Sequence, residues 1–118
     1  MKKILIGLFL LSSALAFSQR VVKGSQAYTD AKDIVYAQGE KTPYTGILQN
    51  INEKGVLESE AEYKDGKMTG FSKLYYPSGK LASETTFKAN IQEGIQKDYH
   101  KNGKLIQQVT FKNGEQVK

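Results

Sequence analysis

Gly70-Phe71-Ser72-Lys73-Leu74-Tyr75-Tyr76-Pro77-Ser78-Gly79-Lys80-Leu81-Ala82-Ser83-Glu84-Thr85-Thr86-Phe87-Lys88 decides the fold. After Gly79 the run alternates: Leu81, Ser83, Thr85 and Phe87 point one way, and Ala82, Glu84, Thr86 and Lys88 the other. A period of two with an apolar side marks a strand with one face buried and one in water. Before Pro77, Phe71, Lys73 and Tyr75 share one face of a second strand. Pro77-Ser78-Gly79 closes the two into a hairpin.

The same pattern extends in both directions at a spacing of 24 residues, as Tyr44–Lys67, Met68–Ile91 and Gln92–Glu115. Gly46, Gly70 and Gly94 fall in register, as do Gly55, Gly79 and Gly103, Leu57, Leu81 and Leu105, and Tyr63, Phe87 and Phe111. Ile47, Phe71 and Ile95 are equivalent, and so are Ile51, Tyr75 and Tyr99, with Gln49, Lys73 and Lys97 between them. A fixed period in this range is the signature of a repeat array, in which each unit contacts its neighbours. The expected fold is all-β, an antiparallel hairpin array of about six strands over 44–118. Its leucines and aromatics would form an apolar ladder on one face, packed as sheet core. Asp65-Gly66 and Asn113-Gly114 are strong hairpin turns, since both residue types tolerate positive φ. Ala89-Asn90 stands in their place in the second unit and is expected to be the least regular turn. Gln19–Pro43 reads as an atypical capping segment, with a strand at Ile34-Val35-Tyr36 and loose order from Arg20 to Lys32.

Residues 1–18 read as a signal peptide. Lys2 and Lys3 precede the apolar run Ile4–Leu11, and Ala16 and Ser18 place small residues before a cleavage at Gln19. The apolar stretch ends at Phe17 and is too short for a membrane span. The expected destination is the periplasm or the medium. With no cysteine in the chain, a lipoprotein anchor, disulfides and thiol chemistry are all excluded. Once Lys2 and Lys3 are removed, 15 basic and 12 acidic residues leave +3. The three units carry −2, +2 and +1, without the basic stripe that nucleic acid requires, so nucleic acid is not an expected partner.

Catalytic groups are scarce. His100 is the one histidine and has no neighbouring Cys or acidic cluster in the sequence, so neither a metal site nor a serine triad can be assembled around it. Glu58, Glu60 and Glu62 would line one sheet face, but no second acidic wall accompanies them, and they read as a solvated row. No enzyme activity, cofactor or metal is expected. The candidate contact surface is Lys73, Tyr75, Tyr76, Lys97, Tyr99 and Lys101.

The run Gly94…Tyr99-His100-Lys101-Asn102-Gly103-Lys104-Leu105…Gln108…Phe111-Lys112-Asn113-Gly114 resembles the bacterial MORN-type repeat variant. So does Gly70…Tyr75-Tyr76-Pro77-Ser78-Gly79-Lys80-Leu81…Glu84…Phe87-Lys88. The opening Pro43-Tyr44-Thr45-Gly46 looks like the start of arrays in the YwqK-type group, often labelled antitoxin. The resemblance covers Tyr36 to Lys118 and implies an interaction or membrane-associated module with no catalytic residue. The expectation is an exported, non-catalytic protein-binding or scaffold module. The alternatives are a periplasmic immunity protein and a binder of envelope lipid or glycan through the Lys and Tyr side chains. A single-layer sheet leaves one face to be covered, by curvature, by the N-terminal segment or by a second copy in a homodimer.

Overall fold

The computed structural model describes residues 20–117; the expected signal peptide, residues 1–18, lies outside them. The three units fold as the expected hairpins. Strands β4 (Gly46–Ile51) and β5 (Leu57–Lys64) form the first. Strands β6 (Lys67–Tyr75) and β7 (Leu81–Lys88) form the second. The third pairs β9 (Gly94–Tyr99) with β10 (Leu105–Lys112), and short β8 (Ile91–Gln92) precedes it. With β1 (Val21–Lys23) at one end and β11 (Glu115–Val117) at the other, the sheet order is β1-β4-β5-β6-β7-β9-β10-β11, and β8 pairs with β7. All these neighbours are antiparallel except β1, which runs parallel to β4. The array is thus an all-β meander with one parallel strand at its first edge.

Arg20–Lys32 is more ordered than its aperiodic sequence suggests. It contains β1, a 3₁₀ turn at Gly24–Gln26 and β2 (Ala27–Thr29), which pairs with β3 (Val35–Ala37) as a separate two-stranded sheet. Tertiary bonds supply what local pattern does not. Ile47 donates its backbone N–H to the Arg20 carbonyl at 2.7 Å, and Val35 donates to Gly66 at 2.9 Å. Tyr44 is 1% exposed, and its hydroxyl donates to the Ile47 carbonyl at 2.7 Å. Val35, Ala37, Tyr44 and Leu48 make the core, with Val22, Ala27 and Tyr63 packed against it.

That core is local. Among the described residues, none after Gly66 is buried. Tyr63, Phe87 and Phe111 are only half-buried, so the expected apolar ladder is not a sheet core over the second and third units. Each aromatic instead lies directly across from a glycine, in the pairs Tyr63–Gly46, Phe87–Gly70 and Phe111–Gly94.

A second correction concerns the leucines. In every hairpin the register shifts by one residue near the turn. Leu57 pairs with Ile51, Leu81 with Tyr75 and Leu105 with Tyr99, while Ser59, Ser83 and Gln107 pair with Asn50, Leu74 and Asp98. Glu58, Ala82 and Ile106 are the extra residues of three equivalent bulges. An inserted residue reverses the facing of everything beyond it. Leu57, Leu81 and Leu105 therefore leave the side of Tyr63, Phe87 and Phe111 and join the side of Ile51, Tyr75 and Tyr99. Glu58, the extra residue, is left without a cross-strand partner.

The turns at the opposite end are equally regular. Asp65 and Gly66 have φ of 51° and 81°, Asn113 and Gly114 of 53° and 84°, and Ala89 and Asn90 of 48° and 71°. The Ala89-Asn90 turn is as regular as the other two, contrary to expectation, because each turn is clasped from within its own unit. Gly66, Asn90 and Gly114 donate their N–H groups to the carbonyls of Tyr44, Met68 and Gln92 at 2.7, 2.8 and 2.9 Å. Asp65, Ala89 and Asn113 donate theirs to Thr45 Oγ1, Thr69 Oγ1 and Glu93 Oε1 at 2.9, 3.1 and 2.8 Å. In the second unit Asn90 Oδ1 adds a bond by accepting from the Met68 N–H at 2.8 Å.

Candidate functional site

The strand registers divide the side chains into two unlike faces. On the first, Leu48, Ala61, Ser72, Thr85, Gln96 and Val109 form one cross-strand row, and Asn50, Ser59, Leu74, Ser83, Asp98 and Gln107 form the next. The β2–β3 hairpin packs over the beginning of this face, leaving a cleft of about 360 Å³ lined by Tyr28, Val35, Leu48, Ala61 and Leu74. Farther along, the face closes on itself by hydrogen bonds. Asp98 accepts from Gln107 Nε2 and from Ser83 Oγ, each at 2.8 Å, and from Gln96 Nε2 at 3.2 Å. These bonds, led by Gln107, hold its carboxyl below the usual carboxylate range.

The second face is built differently. Its middle row, in strand order, is Gln49, Glu60, Lys73, Glu84, Lys97 and Gln108, each directly paired with the next. One flanking row is Ile51, Leu57, Tyr75, Leu81, Tyr99 and Leu105. The other is Ile47, Glu62, Phe71, Thr86, Ile95 and Thr110. Hydroxyls tie the upper row to the middle one. Tyr75 Oη donates to Glu60 Oε2, and Tyr99 Oη donates to Glu84 Oε1 at 3.0 Å. Burial and the bond to Glu60 push the Tyr75 phenol up to about 12, and burial with Glu84 raises that of Tyr99. The Lys73 ammonium lies 4.9 Å from the centroid of the Phe71 ring. Among the described residues the one ion pair is Arg20–Glu40, so no lysine of the row is bonded to a glutamate within the sheet. Apolar atoms stay open to solvent here, with Ile95 44% and Leu105 49% exposed.

Four of the six sequence-derived residues, Lys73, Tyr75, Lys97 and Tyr99, therefore meet on this face. Tyr76 and Lys101 do not. The Tyr76 hydroxyl donates to the Tyr99 carbonyl at 2.5 Å, and Tyr76, His100, Lys101, Asn102 and Lys104 line a shallow depression at the turn end of the sheet. Sequence reasoning placed Phe71 on the face of Lys73 and Tyr75 but missed Leu57, Leu81 and Leu105, which the bulges bring to it. It also missed Thr45, Thr69 and Glu93, whose signal was a side-chain acceptor immediately before each in-register glycine.

Among the described residues no group of three or more His, Asp or Glu side chains is placed to hold a metal ion. His100 is exposed, and its backbone N–H closes the third turn on the Lys104 carbonyl at 2.8 Å. No helix of the described residues is long and apolar enough to cross a membrane.

No curated protein and no solved structure matches this chain. Residues 68–89 and 92–113, two adjacent units of the array, each match the MORN repeat variant.

Proposed function

We propose that this chain is a non-catalytic protein-binding module, exported through residues 1–18 to the periplasm or the medium, whose contact surface is the face bearing Lys73, Tyr75, Lys97 and Tyr99. MORN repeats are often protein- or membrane-binding modules, and the family match supports a binding role of that general kind. The observation that carries the reading is the face itself. Tyrosines held in place by carboxylates stand among exposed apolar residues and the ammonium groups of Lys73 and Lys97, on the face opposite the one that the β2–β3 hairpin covers. Rigid tyrosines of that kind supply contact area at low entropic cost. Glu60 and Glu84 alternate with Lys73 and Lys97, so the row carries no net charge, which argues against an anionic lipid surface as the partner.

Chemical cross-linking in the native host, with a C-terminal tag on the full-length chain, tests it. The expected result is a stoichiometric protein cross-link that the Tyr75→Ser/Tyr99→Ser variant loses while keeping its β-sheet circular dichroism. A cross-link unaffected by that variant, or no protein cross-link at all, overturns the assignment.

A further inference from the structure

The middle row has a symmetry that the sheet itself does not use. In strand order its charges run neutral, minus, plus, minus, plus, neutral: Gln49, Glu60, Lys73, Glu84, Lys97, Gln108. Read backwards, every sign is inverted. A second copy turned over by a two-fold axis parallel to the strands, passing between β6 and β7, would present that reversed row. Lys73 of one copy would then face Glu84 of the other and Glu60 would face Lys97, each contact occurring twice, with Gln49 opposite Gln108. The same axis leaves the flanking rows at their own heights. Ile51 meets Leu105, Leu57 meets Tyr99, and Tyr75 meets Leu81. On the lower side Phe71 meets Thr86, Ile47 meets Thr110 and Glu62 meets Ile95, the one carboxylate set against an apolar side chain.

From this we infer that the occupant of the face is a second copy of this chain, forming a two-fold sandwich. The inference rests on the reading of this face as a protein-contact surface and names the protein. An interface that maps onto itself is what a two-fold dimer requires. Sheets packed in this way keep their strands within about 30° of each other. The central Lys73–Glu84 contacts therefore stay in register, while the outer ones rely on long side chains. Six strands at about 4.8 Å and six residues at about 3.3 Å give a patch of roughly 24 by 20 Å. Two such patches bury on the order of 1,000 Å², at the low end for a specific interface, so the dimer is expected to dissociate on dilution. The alternating charges fix the register and reject slipped pairings, and the row of Ile51, Leu57, Tyr75, Leu81, Tyr99 and Leu105 supplies most of the driving force. A shift by one strand would set lysine against lysine and glutamate against glutamate.

The test is sedimentation at high micromolar concentration in low salt, using the full-length product as it is exported. Wild type is expected as a dimer. Lys73→Glu/Lys97→Glu, with an all-negative row, and Glu60→Lys/Glu84→Lys, with an all-positive row, are each expected as monomers. Their equimolar mixture is expected to form a one-to-one heterodimer, which misfolded variants could not do. A monomeric wild type, dimers that persist in both variants, or a mixture that stays monomeric would each overturn the inference. The broader reading fails separately. If wild type is monomeric yet cross-links a different protein in its host, and Lys73→Glu/Lys97→Glu abolishes that cross-link, the face binds protein and only the self-pairing is wrong. If neither self-association nor that cross-link responds to the substitutions, both fall.

Discussion

At the scale of single residues, a few hydrogen-bonded side chains set the character of each face. Tyr75 is held neutral by burial and by its bond to Glu60. Its folded pKa lies above the unfolded value, so its contribution is complete below about pH 10 and is lost as pH rises through the folded value. Ultraviolet titration of tyrosinate is expected to show a late transition near 12 that Tyr75→Phe removes. The same substitution is expected to lower stability by about 0.5–1.5 kcal/mol in urea unfolding, the usual worth of one such bond. Asp98 behaves with the opposite sign. Bonds from Gln107, Ser83 and Gln96 depress its pKa, so its contribution is full above the ordinary carboxylate value of about 4 and disappears as pH falls through the depressed one. Asp98→Asn is expected to flatten the acid side of a plot of Tm against pH by lowering Tm in the neutral region while leaving the acid end nearly unchanged. The sequence marks Tyr75 as a candidate contact residue but does not disclose its bond to Glu60, and Asp98 does not stand out at all, occupying a position held by Asn50 and Leu74 in the other units.

At the scale of elements, the hairpin shows what a periodic sequence discloses and what it conceals. The six main strands and all their turns were legible, because a period of two broken by Gly, Pro, Asn and Asp admits few other structures. The bulges at Glu58, Ala82 and Ile106 were not. Alternation counts residues along one strand, whereas a bulge is a mismatch between two strands, visible only when both are paired. That single hidden residue moved three leucines across the sheet and so altered the composition of the candidate face. The Ala89-Asn90 turn was misjudged for a related reason. Positive φ disfavours Ala89 locally, but Thr69 and Met68, twenty residues away, supply the acceptors that hold it. The local penalty persists all the same. Ala89→Asn is expected to raise stability by about 1 kcal/mol, since Asn tolerates the left-handed region better than Ala. Thermal unfolding measured beside wild type checks this.

At the scale of the whole molecule, burial is concentrated at one end. The N-terminal segment, β4 and β5 hold every buried apolar side chain among the described residues, and the later strands hold none. Local opening follows contact density, so hydrogen exchange in dilute protein is expected to be slowest in β4 and β5 and to quicken through β7 to β10. Uniform protection along the array would show that the later units are held by something other than the core. The sequence announced the array but not this gradient. Val35 and Ala37 look ordinary until the tertiary bonds of Tyr44 and Gly66 draw them over the sheet. The clasp at each turn bears on descent as well as on stability. Its donors and acceptors all belong to one unit of 24 residues: Tyr44, Thr45, Asp65 and Gly66 in the first, Met68, Thr69, Ala89 and Asn90 in the second, Gln92, Glu93, Asn113 and Gly114 in the third. Removing residues 68–91, or copying them, keeps the donors and acceptors of every clasp together. A recombination event that respects the period therefore inherits a finished part, and a lineage can lengthen or shorten the sheet in whole units while each turn remains intact.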